Sequence, residues 1–172
     1  GMDLRPTADR LRETLFNVLS AGNIAVFESR VWLDLCAGTG AVGIEGLRRG
    51  ASQIYFVESS TAAAGLIQRN LASLGVETGF DILRDDVVRA LRQLETRNVS
   101  ADFIFLDPPY HLEKIYGQVL QMLSQSSLVR PETVIVAEHD KRFDPGDSFA
   151  PLLRYRKLEQ RDAVLSFYRL SS

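Results

Sequence analysis

Short runs of mostly apolar residues recur along the chain and are separated by amphipathic segments. They lie at residues 31–35, 53–57, 80–83, 101–106 and 133–137. Runs without apolar–polar alternation are typical of parallel strands covered on both faces. Between and after these runs, apolar residues recur at helical spacing in segments 41–49, 61–74, 87–95 and 113–124. The pattern predicts strands and helices in regular alternation.

The two ends of the chain follow other patterns. Apolar residues mark one helical face from about residue 8 to residue 19, and Thr7 is the predicted N-cap of that helix. Residues 140–150 contain a proline and a glycine and no helical period, so they predict a loop. Segments 152–158 and 163–170 predict the two strands of an antiparallel hairpin.

These elements define the predicted fold class. Alternating strands and helices favour an α/β fold, a mostly parallel seven-stranded sheet with helices on both faces and a C-terminal antiparallel β-hairpin. A length of 172 residues suits one domain over residues 1–172. Within it we expect an N-terminal helical segment at 2–22, a ligand-binding α/β core at 31–138 and the hairpin at 151–170.

A glycine-rich turn follows the first predicted strand. Gly38, Gly40 and Gly43 have the G-x-G-x-x-G spacing, which lets backbone N–H groups at a helix N-terminus face a polar or anionic ligand. Glu58 ends the second predicted strand, where its carboxylate could accept hydrogen bonds from ribose hydroxyls. A tight strand-to-helix turn without a ligand would also explain the glycines alone.

The run at 101–106 leads directly into Asp107-Pro108-Pro109-Tyr110. An acid, two prolines and an aromatic residue at the carboxyl end of a central strand are more than a turn requires, because ligands of open α/β sheets bind at that edge. The alternative is a proline-rich turn with a surface tyrosine.

Composition and charge add a few expectations about partners, location and metal binding. The net charge is −2, and the basic residues cluster in segment 151–172, where a modest basic patch or a solvated mixed surface is expected. No apolar run approaches the length of a membrane span, so we expect no membrane partner and a cytoplasmic location. A single cysteine fits a reducing compartment. Two histidines, one cysteine and no clustered ligand spacing predict no metal site.

The motifs together carry a resemblance to a known class. The order of the glycine turn, Glu58, Asp86 and Asp-Pro-Pro-Tyr resembles the Rossmann-like fold of class I S-adenosylmethionine-dependent methyltransferases. More narrowly, LRPTADRLRETLFNVL, DLCAGTGAVGIEGLRRGA and FLDPPY resemble the RsmD family, which methylates the exocyclic 2-amino group of a guanine in small-subunit ribosomal RNA. The resemblance implies S-adenosyl-L-methionine as cofactor, and ribosomal RNA or a small-subunit ribosomal particle as partner.

The same resemblance implies roles for individual residues. Asp34 would help to hold the methionine end of the cofactor, and Asp86 would accept from its adenine amino group. Asp85 remains an alternative, because either of two adjacent acids could cap the following helix. The full set of expected cofactor-binding residues is Asp34, Cys36, Gly38, Thr39, Gly40, Glu58 and Asp86.

The tetrapeptide would hold the acceptor amine. An exocyclic base nitrogen is a poor nucleophile, since its lone pair is conjugated with the ring. Hydrogen bonds to the Asp107 carboxylate and the Pro108 carbonyl would make it more nucleophilic, and the prolines restrict the backbone. Asp107, Pro108, Pro109 and Tyr110 are therefore the expected catalytic residues, with Tyr110 stacking on the flipped base.

Further residues are candidates for substrate binding or have a structural alternative. Arg5 and Thr7 match the opening segment of the family and are expected, with Tyr110 and His111, to bind substrate. The alternative for His111 is a solvated loop side chain, which is the more common situation of a loop histidine. His139 is interpreted as part of a charged strand end. Cys36 is expected to line the cofactor loop rather than to act as a nucleophile.

Three alternatives stay open. The same chemistry could act on another base, such as adenine N6 in DNA or RNA, because Asp-Pro-Pro-Tyr recognises an amino group and not a base. The glycine turn and Glu58 would also suit an NAD(P)-dependent oxidoreductase. A non-catalytic cofactor-binding or RNA-scaffold module is the third, and the intact Asp107 and Pro108 argue against it.

Overall fold

The computed structural model describes residues 5–171, with side chains from residue 8 onward. Helix α1 spans Arg5–Ser20, and a short 3-10 helix, Ile24–Phe27, follows it. Thr7 is thus inside α1, and its prediction as the N-cap is wrong. Proline is tolerated in the first helical turn, where a backbone N–H would have no helical partner, so Pro6 does not delay the start of the helix.

The rest of the chain alternates strands and helices as predicted. The strands are β1 (Val31–Leu35), β2 (Gln53–Val57), β3 (Phe80–Leu83), β4 (Ala101–Leu106), β5 (Val129–Asp140), β6 (Ser148–Phe149), β7 (Leu152–Gln160) and β8 (Ala163–Leu170). The helices are α2 (Ala41–Arg48), α3 (Thr61–Ser73), α4 (Val87–Thr96) and α5 (Lys114–Leu123). β5 extends beyond the predicted run 133–137, because polar residues at both of its ends interrupt the apolar pattern.

The eight strands of the described part of the chain form one sheet in the order β3-β2-β1-β4-β5-β8-β7-β6. β1 to β5 are parallel, β8 is antiparallel to β5, and β7 and β8 form the predicted hairpin. The mostly parallel sheet is confirmed, but within residues 5–171 it has eight strands and not seven. The additional strand, β6, consists of two residues paired with β7 inside the segment predicted to be a loop. Two residues are too few to show a period.

The helices cover both faces of the sheet, as expected. On one face, α4 and α5 bury Leu33, Leu35, Ile104 and Leu106 from the central strands. On the other, α1, α2 and α3 pack over the alternate residues of the same strands, among them Trp32, Phe56, Phe103 and Phe105. In the described part of the chain, no helix is long and apolar enough to cross a membrane.

The strand order fixes the place of a ligand site. β1 continues through α2 to β2 on one side, whereas its other neighbour, β4, continues through α5 to β5. The chain therefore leaves the carboxyl ends of β1 and β4 in opposite directions. This divergence opens a crevice at that edge, the usual position of ligands in open α/β sheets.

Candidate active site

The turn after β1 has an unusual backbone. Cys36, Gly38 and Gly40 all have positive φ angles, of 59°, 59° and 80°. Left-handed backbone is sparsely populated by residues other than glycine, and it concentrates at functional sites. A side chain at Gly38 would project into open space, since no atom lies within 4 Å of the position that a β-carbon would take there. The turn thus leaves open space beside Gly38, where a ligand could approach the backbone.

Glu58 ties this turn to the end of β2. Its Oε1 accepts a hydrogen bond from the amide of Gly38 at 3.0 Å, and its Oε2 accepts from the amide of Ser60 at 2.9 Å. A carboxylate has about four lone-pair directions, so these two bonds leave capacity for ligand hydroxyls. The sequence indicated Glu58 as a ligand but did not show that it also shapes the turn.

Asp34 is a buried anchor for α2. Its side chain is 2% exposed, and its Oδ2 accepts from the amide of Gly43 at 2.9 Å. Burial raises the pKa of Asp34 to about 7, opposed by the Gly43 hydrogen bond and assisted by the negative charge of Glu58. Asp34 therefore holds the helix N-terminus against β1, and its side chain also borders the crevice.

Two adjoining pockets occupy the crevice. The first, of about 420 Å³, lies between the ends of β2 and β3 and the start of α5, and Asp85, Asp86 and Leu112 are part of its lining. The second, of about 440 Å³, lies under α1 and is lined by the glycine turn and by the tetrapeptide after β4. Cys36, Glu58 and Pro109 line both pockets. A long ligand could therefore extend from one into the other.

Most of the predicted residues meet at the second pocket. Its lining includes Asp34, Cys36, Gly38, Thr39, Glu58, Asp107, Pro108, Pro109 and Tyr110. Gly40 is buried beneath the turn, where an added β-carbon would lie 3.2 Å from Ile67 and Phe56. His111 lines neither pocket and contacts the edge of the Tyr110 ring, with 5.6 Å between ring centroids. The side chains of Arg5 and Thr7 lie outside the described residues.

The tetrapeptide presents different groups to the second pocket. Pro108 is buried, while Tyr110 is 90% exposed at the rim. Asp107 is exposed and opens into the pocket, but the surrounding protein still limits its hydration. This partial desolvation, with the negative charges of Glu138 and Asp34, raises the pKa of Asp107 well above its usual value.

Glu138 is a site residue that the sequence analysis missed. It follows Ala137, which pairs with Leu106 in the β4–β5 register, and its side chain lines the second pocket. Burial raises the pKa of Glu138 to about 7. A signal was present, because Glu138 comes directly after the predicted strand 133–137 and the carboxyl ends of parallel strands meet at one edge.

Helix α1 supplies a cation and apolar walls to the same pocket. Ala8, Leu11, Arg12 and Leu15 contribute to its lining. Arg12 also pairs with Asp9 at 3.2 Å and has a side chain only 28% exposed. The second pocket thus combines four carboxylates, from Asp34, Glu58, Asp107 and Glu138, with one arginine among the described residues.

The two adjacent acids in the first pocket have different partners. Asp86 is the N-cap of α4, and its Oδ1 accepts from the amide of Arg89 at 3.0 Å. The Oδ1 of Asp85 accepts from the amide of Asp86 at 2.8 Å. The capping role thus belongs to Asp86, and both acids remain on the pocket wall.

The remaining candidates have structural surroundings. Burial and the charges of Glu58, Asp107 and Asp34 raise the pKa of Cys36 to about 12, so its thiol stays protonated and is a poor nucleophile. His139 is 5% exposed, and its Nε2 lies 2.7 Å from the Ser166 hydroxyl. The interpretation of His139 as a charged strand end is therefore wrong. Burial lowers its pKa, and its Nδ1 faces two backbone carbonyls.

The site chemistry fits one kind of cofactor. A pocket with several carboxylates favours a positively charged ligand, such as a sulfonium. The open glycine turn, the acid directly after β2 and the first pocket, which Asp86 lines, suit the amino-acid and nucleoside parts of such a ligand. No group of three or more His, Cys, Asp or Glu side chains able to hold a metal ion was found among the described residues.

Comparison with known proteins agrees with this geometry. The family model described as Conserved hypothetical protein 95 matches residues 1–169. YlbH of Bacillus subtilis is 32% identical over 157 residues, which cover 91% of this chain and 83% of YlbH. Ribosomal RNA small subunit methyltransferase D of Haemophilus influenzae is 31% identical over 80% of this chain and 69% of its own length.

Solved structures share the fold. A conserved hypothetical protein of Streptococcus pyogenes superposes with a TM-score of 0.81 and 28% identity, covering 93% of this chain and 95% of its own. SMU.776, a structure in complex with SAH, gives a TM-score of 0.70 at 14% identity over 94% of this chain and 48% of its own.

Fold and site together define an S-adenosylmethionine-dependent methyltransferase of class I. Within that class, the chain belongs to the RsmD family, whose model is the one described as Conserved hypothetical protein 95. The glycine motif alone is compatible with S-adenosylmethionine and with a nicotinamide nucleotide. Membership of the RsmD family favours S-adenosylmethionine.

Proposed function

We propose that this protein methylates the exocyclic amino group of a guanine, at N2, in small-subunit ribosomal RNA. The observation that carries the proposal is Asp107-Pro108-Pro109-Tyr110 at the mouth of the second pocket, beside the glycine turn. Further support comes from the Haemophilus influenzae relative, whose name describes a small-subunit ribosomal RNA methyltransferase. The proposal implies that the protein is a cytoplasmic enzyme. Its substrate would be the RNA itself or an assembling ribosomal particle.

Asp107 and Pro108 would position the acceptor amine. The carboxylate and the carbonyl each accept one of its N–H groups, which leaves the nitrogen lone pair directed away from both. The two prolines restrict the backbone to an extended geometry, so the two acceptors lose little freedom on binding. Holding the nitrogen in line with the methyl carbon is the main task, since a direct displacement needs no covalent intermediate.

Other residues would hold the cofactor, which supplies an activated methyl group on a sulfonium. Glu58 would accept from ribose hydroxyls, and Asp86 from the adenine amino group. Asp34 and the turn from Cys36 to Thr39 would border the methionine part, as their positions on the pocket walls suggest, with Gly40 supporting the turn from beneath.

Tyr110 would bind the base itself. Its ring is 90% exposed at the rim of the second pocket. An exposed aromatic ring beside a polar pocket suits a flipped base, because stacking is worth about 1–3 kcal/mol per base. Helix α1 also contributes to the lining of that pocket.

Two measurements test the proposal. Mass mapping of ribosomal RNA from cells that lack the gene should show one small-subunit guanine without its N2 methyl group, and the purified protein should restore it. Titration calorimetry should detect S-adenosylmethionine binding and no NAD binding. Loss of a methyl group from adenine instead of guanine would contradict the base assignment.

A substitution separates chemistry from cofactor binding. We expect Asp107→Ala to lower single-turnover methyl transfer by about 100-fold or more, the usual effect of losing one preorganised catalytic group. Cofactor affinity should stay within a few-fold. Asp81→Asn, which removes an exposed acid of β3 that lines neither pocket, is the matched control. If Asp107→Ala loses cofactor binding but turns over normally when saturated, the assignment to the acceptor is wrong.

A further inference from the structure

Glu138 stands beside Asp107 at the edge of the sheet. Leu106 and Ala137 are partners in the parallel β4–β5 register, so Asp107, directly after β4, and Glu138, still within β5, lie at the same level of the sheet. Neighbouring strands are about 4.8 Å apart. Since side chains alternate along a strand, Asp107 and Glu138 share the face of Phe105 and Val136, the face covered by α1. Both line the second pocket.

The position of Glu138 is held on both sides. Its strand pairs with β4 on one side and with β8 on the other, where Glu138 is the partner of Leu165. Its backbone carbonyl also accepts a hydrogen bond from the hydroxyl of Tyr116, a buried residue of α5. The charge of Glu138 contributes to the raised pKa of Asp107, as expected of two neighbouring carboxyl groups. A second acceptor is thus fixed about one strand spacing from the first.

Two neighbouring acceptors distinguish the nucleobases. In adenine and cytosine, the ring nitrogen next to the amino group is itself an acceptor, and a carboxylate facing it would be repelled. In guanine, the N1 next to the 2-amino group carries a hydrogen and is a donor. Among the four common bases, guanine therefore presents an amino group and an adjacent ring N–H to a pair of acceptors.

We propose that Glu138 is the specificity-determining residue of this site, and that its carboxylate accepts a hydrogen bond from N1–H of the guanine whose amino group Asp107 holds. The inference rests on the proposed function and assigns its base selectivity to one side chain. Asp-Pro-Pro-Tyr recognises an amino group of any base; Glu138 adds the requirement for a donor beside it. A site that hydrogen-bonds a substrate N–H rejects an analogue that lacks it, because its own polar group is then left unpaired.

The test combines a protein change with a substrate change. The substrate is small-subunit ribosomal RNA in which the target guanine, located by mass mapping, is replaced through splinted ligation by 2-aminopurine. This base keeps the 2-amino group and has no hydrogen on N1. Single-turnover transfer is measured for wild type and Glu138→Gln on both RNAs, which gives a double-mutant cycle. Any loss from the missing 6-oxo group affects both proteins and cancels.

We expect the change from guanine to 2-aminopurine to slow the wild type about 30- to 100-fold and Glu138→Gln at most about 3-fold, because the glutamine amide can donate to the unprotonated N1. Affinity for SAH should stay within about 3-fold in all variants, which excludes a damaged cofactor site. Glu132→Gln, which removes an exposed acid from the other end of β5, should behave as wild type.

Equal losses on 2-aminopurine in both proteins would overturn the inference, as would a wild type that accepts both RNAs equally well. Glu138→Asp keeps the charge on a shorter side chain and should retain only part of the wild-type discrimination. It serves as the second variant if Glu138→Gln does not fold, and discrimination by Glu138→Asp equal to that of wild type would also count against the inference. A wild type that modifies no guanine refutes the proposed function itself, a result that needs no variant.

Discussion

Each acidic side chain at the carboxyl edge of the sheet has its own set of partners. Asp34 and Glu58 accept hydrogen bonds from backbone amides of α2 and of the glycine turn. Asp86 caps α4, while Asp107 opens into the second pocket. Substitutions at these acids should therefore have different effects: some should lower the folding stability and others the affinity for the ligand.

Asp86 allows the two effects to be separated. Asp86→Ala and Asp86→Ser both remove the carboxylate from the first pocket, so both should weaken S-adenosylmethionine binding by about 1–3 kcal/mol. A serine hydroxyl can still accept from the Arg89 amide, so only the alanine variant should lose about 1 kcal/mol of folding stability. Calorimetry and urea unfolding measure the two quantities. If only Asp86→Ala binds the cofactor weakly, the cap matters rather than a direct contact, and Asp85 becomes the candidate ligand.

Asp34 should give the protein an unusual dependence on pH. Burial raises its pKa from 3.8 to about 7. Because this pKa is higher in the folded than in the unfolded chain, the stabilising contribution is complete below about pH 4 and is lost as the pH rises to about 7. Asp34→Asn keeps an oxygen acceptor for the Gly43 amide and does not titrate. Its stability relative to wild type should thus increase by about 1–4 kcal/mol between pH 4 and pH 8.

Urea unfolding of the ligand-free protein at pH 4, 5, 6, 7 and 8 measures this effect. Glu77→Gln, which removes an exposed acid in the loop before β3, serves as the control and should follow the wild type. Parallel curves for Asp34→Asn and wild type would show that Asp34 does not titrate in this range. Glu138 contributes in the same direction, since its pKa is also raised to about 7, so the variant should keep part of the slope.

At the scale of elements, the apolar runs located β1 to β4 to the residue, because central parallel strands are covered on both faces and need uninterrupted apolar sequence. The two-residue strand β6 and the early start of α1 were missed, since neither leaves a periodic signal. The site was predictable where an acid follows a strand, as with Glu58 and Asp107. The hydrogen bond from the Gly43 amide to Asp34 depends on a contact between elements that no local pattern encodes, whereas Glu138 was missed although it directly follows a predicted strand.

The contact between α2 and β2 explains one glycine of the motif. A β-carbon at Gly43 would lie 2.4 Å from Cε1 of Phe56, so the helix can approach the sheet only because this residue has no side chain. Gly43→Ala should therefore destabilise the fold by about 1–3 kcal/mol through overpacking. At Gly117, inside α5, no atom lies within 4 Å of the equivalent position, and Gly117→Ala should stabilise by about 0.5–1 kcal/mol. Thermal or urea unfolding of both variants tests this, and the same sign for both would contradict the packing argument.

At the scale of the whole molecule, the parallel sheet collects charges that are distant in sequence. Asp34 and Glu138 lie near the carboxyl ends of β1 and β5, whereas Glu58 and Asp107 directly follow β2 and β4. All four side chains lie on the α1 side of the sheet and border the second pocket. The carboxyl ends of these strands meet at one edge because the strands are parallel. The result is a negative pocket in a chain whose overall net charge is only −2.

This concentration of charge should favour the cationic cofactor over its neutral product, and more so at higher pH. Asp34 and Glu138 have pKa values raised to about 7, and that of Asp107 is also raised, so the ligand-free pocket becomes more negative as the pH rises through 7. A sulfonium near newly ionised carboxylates gains about 1 kcal/mol or more, whereas the uncharged sulfur of SAH gains little. Calorimetry at pH 6 and pH 8 should show the ratio of S-adenosylmethionine to SAH affinity rising at least about 5-fold, and less in Asp34→Asn. A ratio independent of pH would mean that these carboxyl groups do not face the sulfonium.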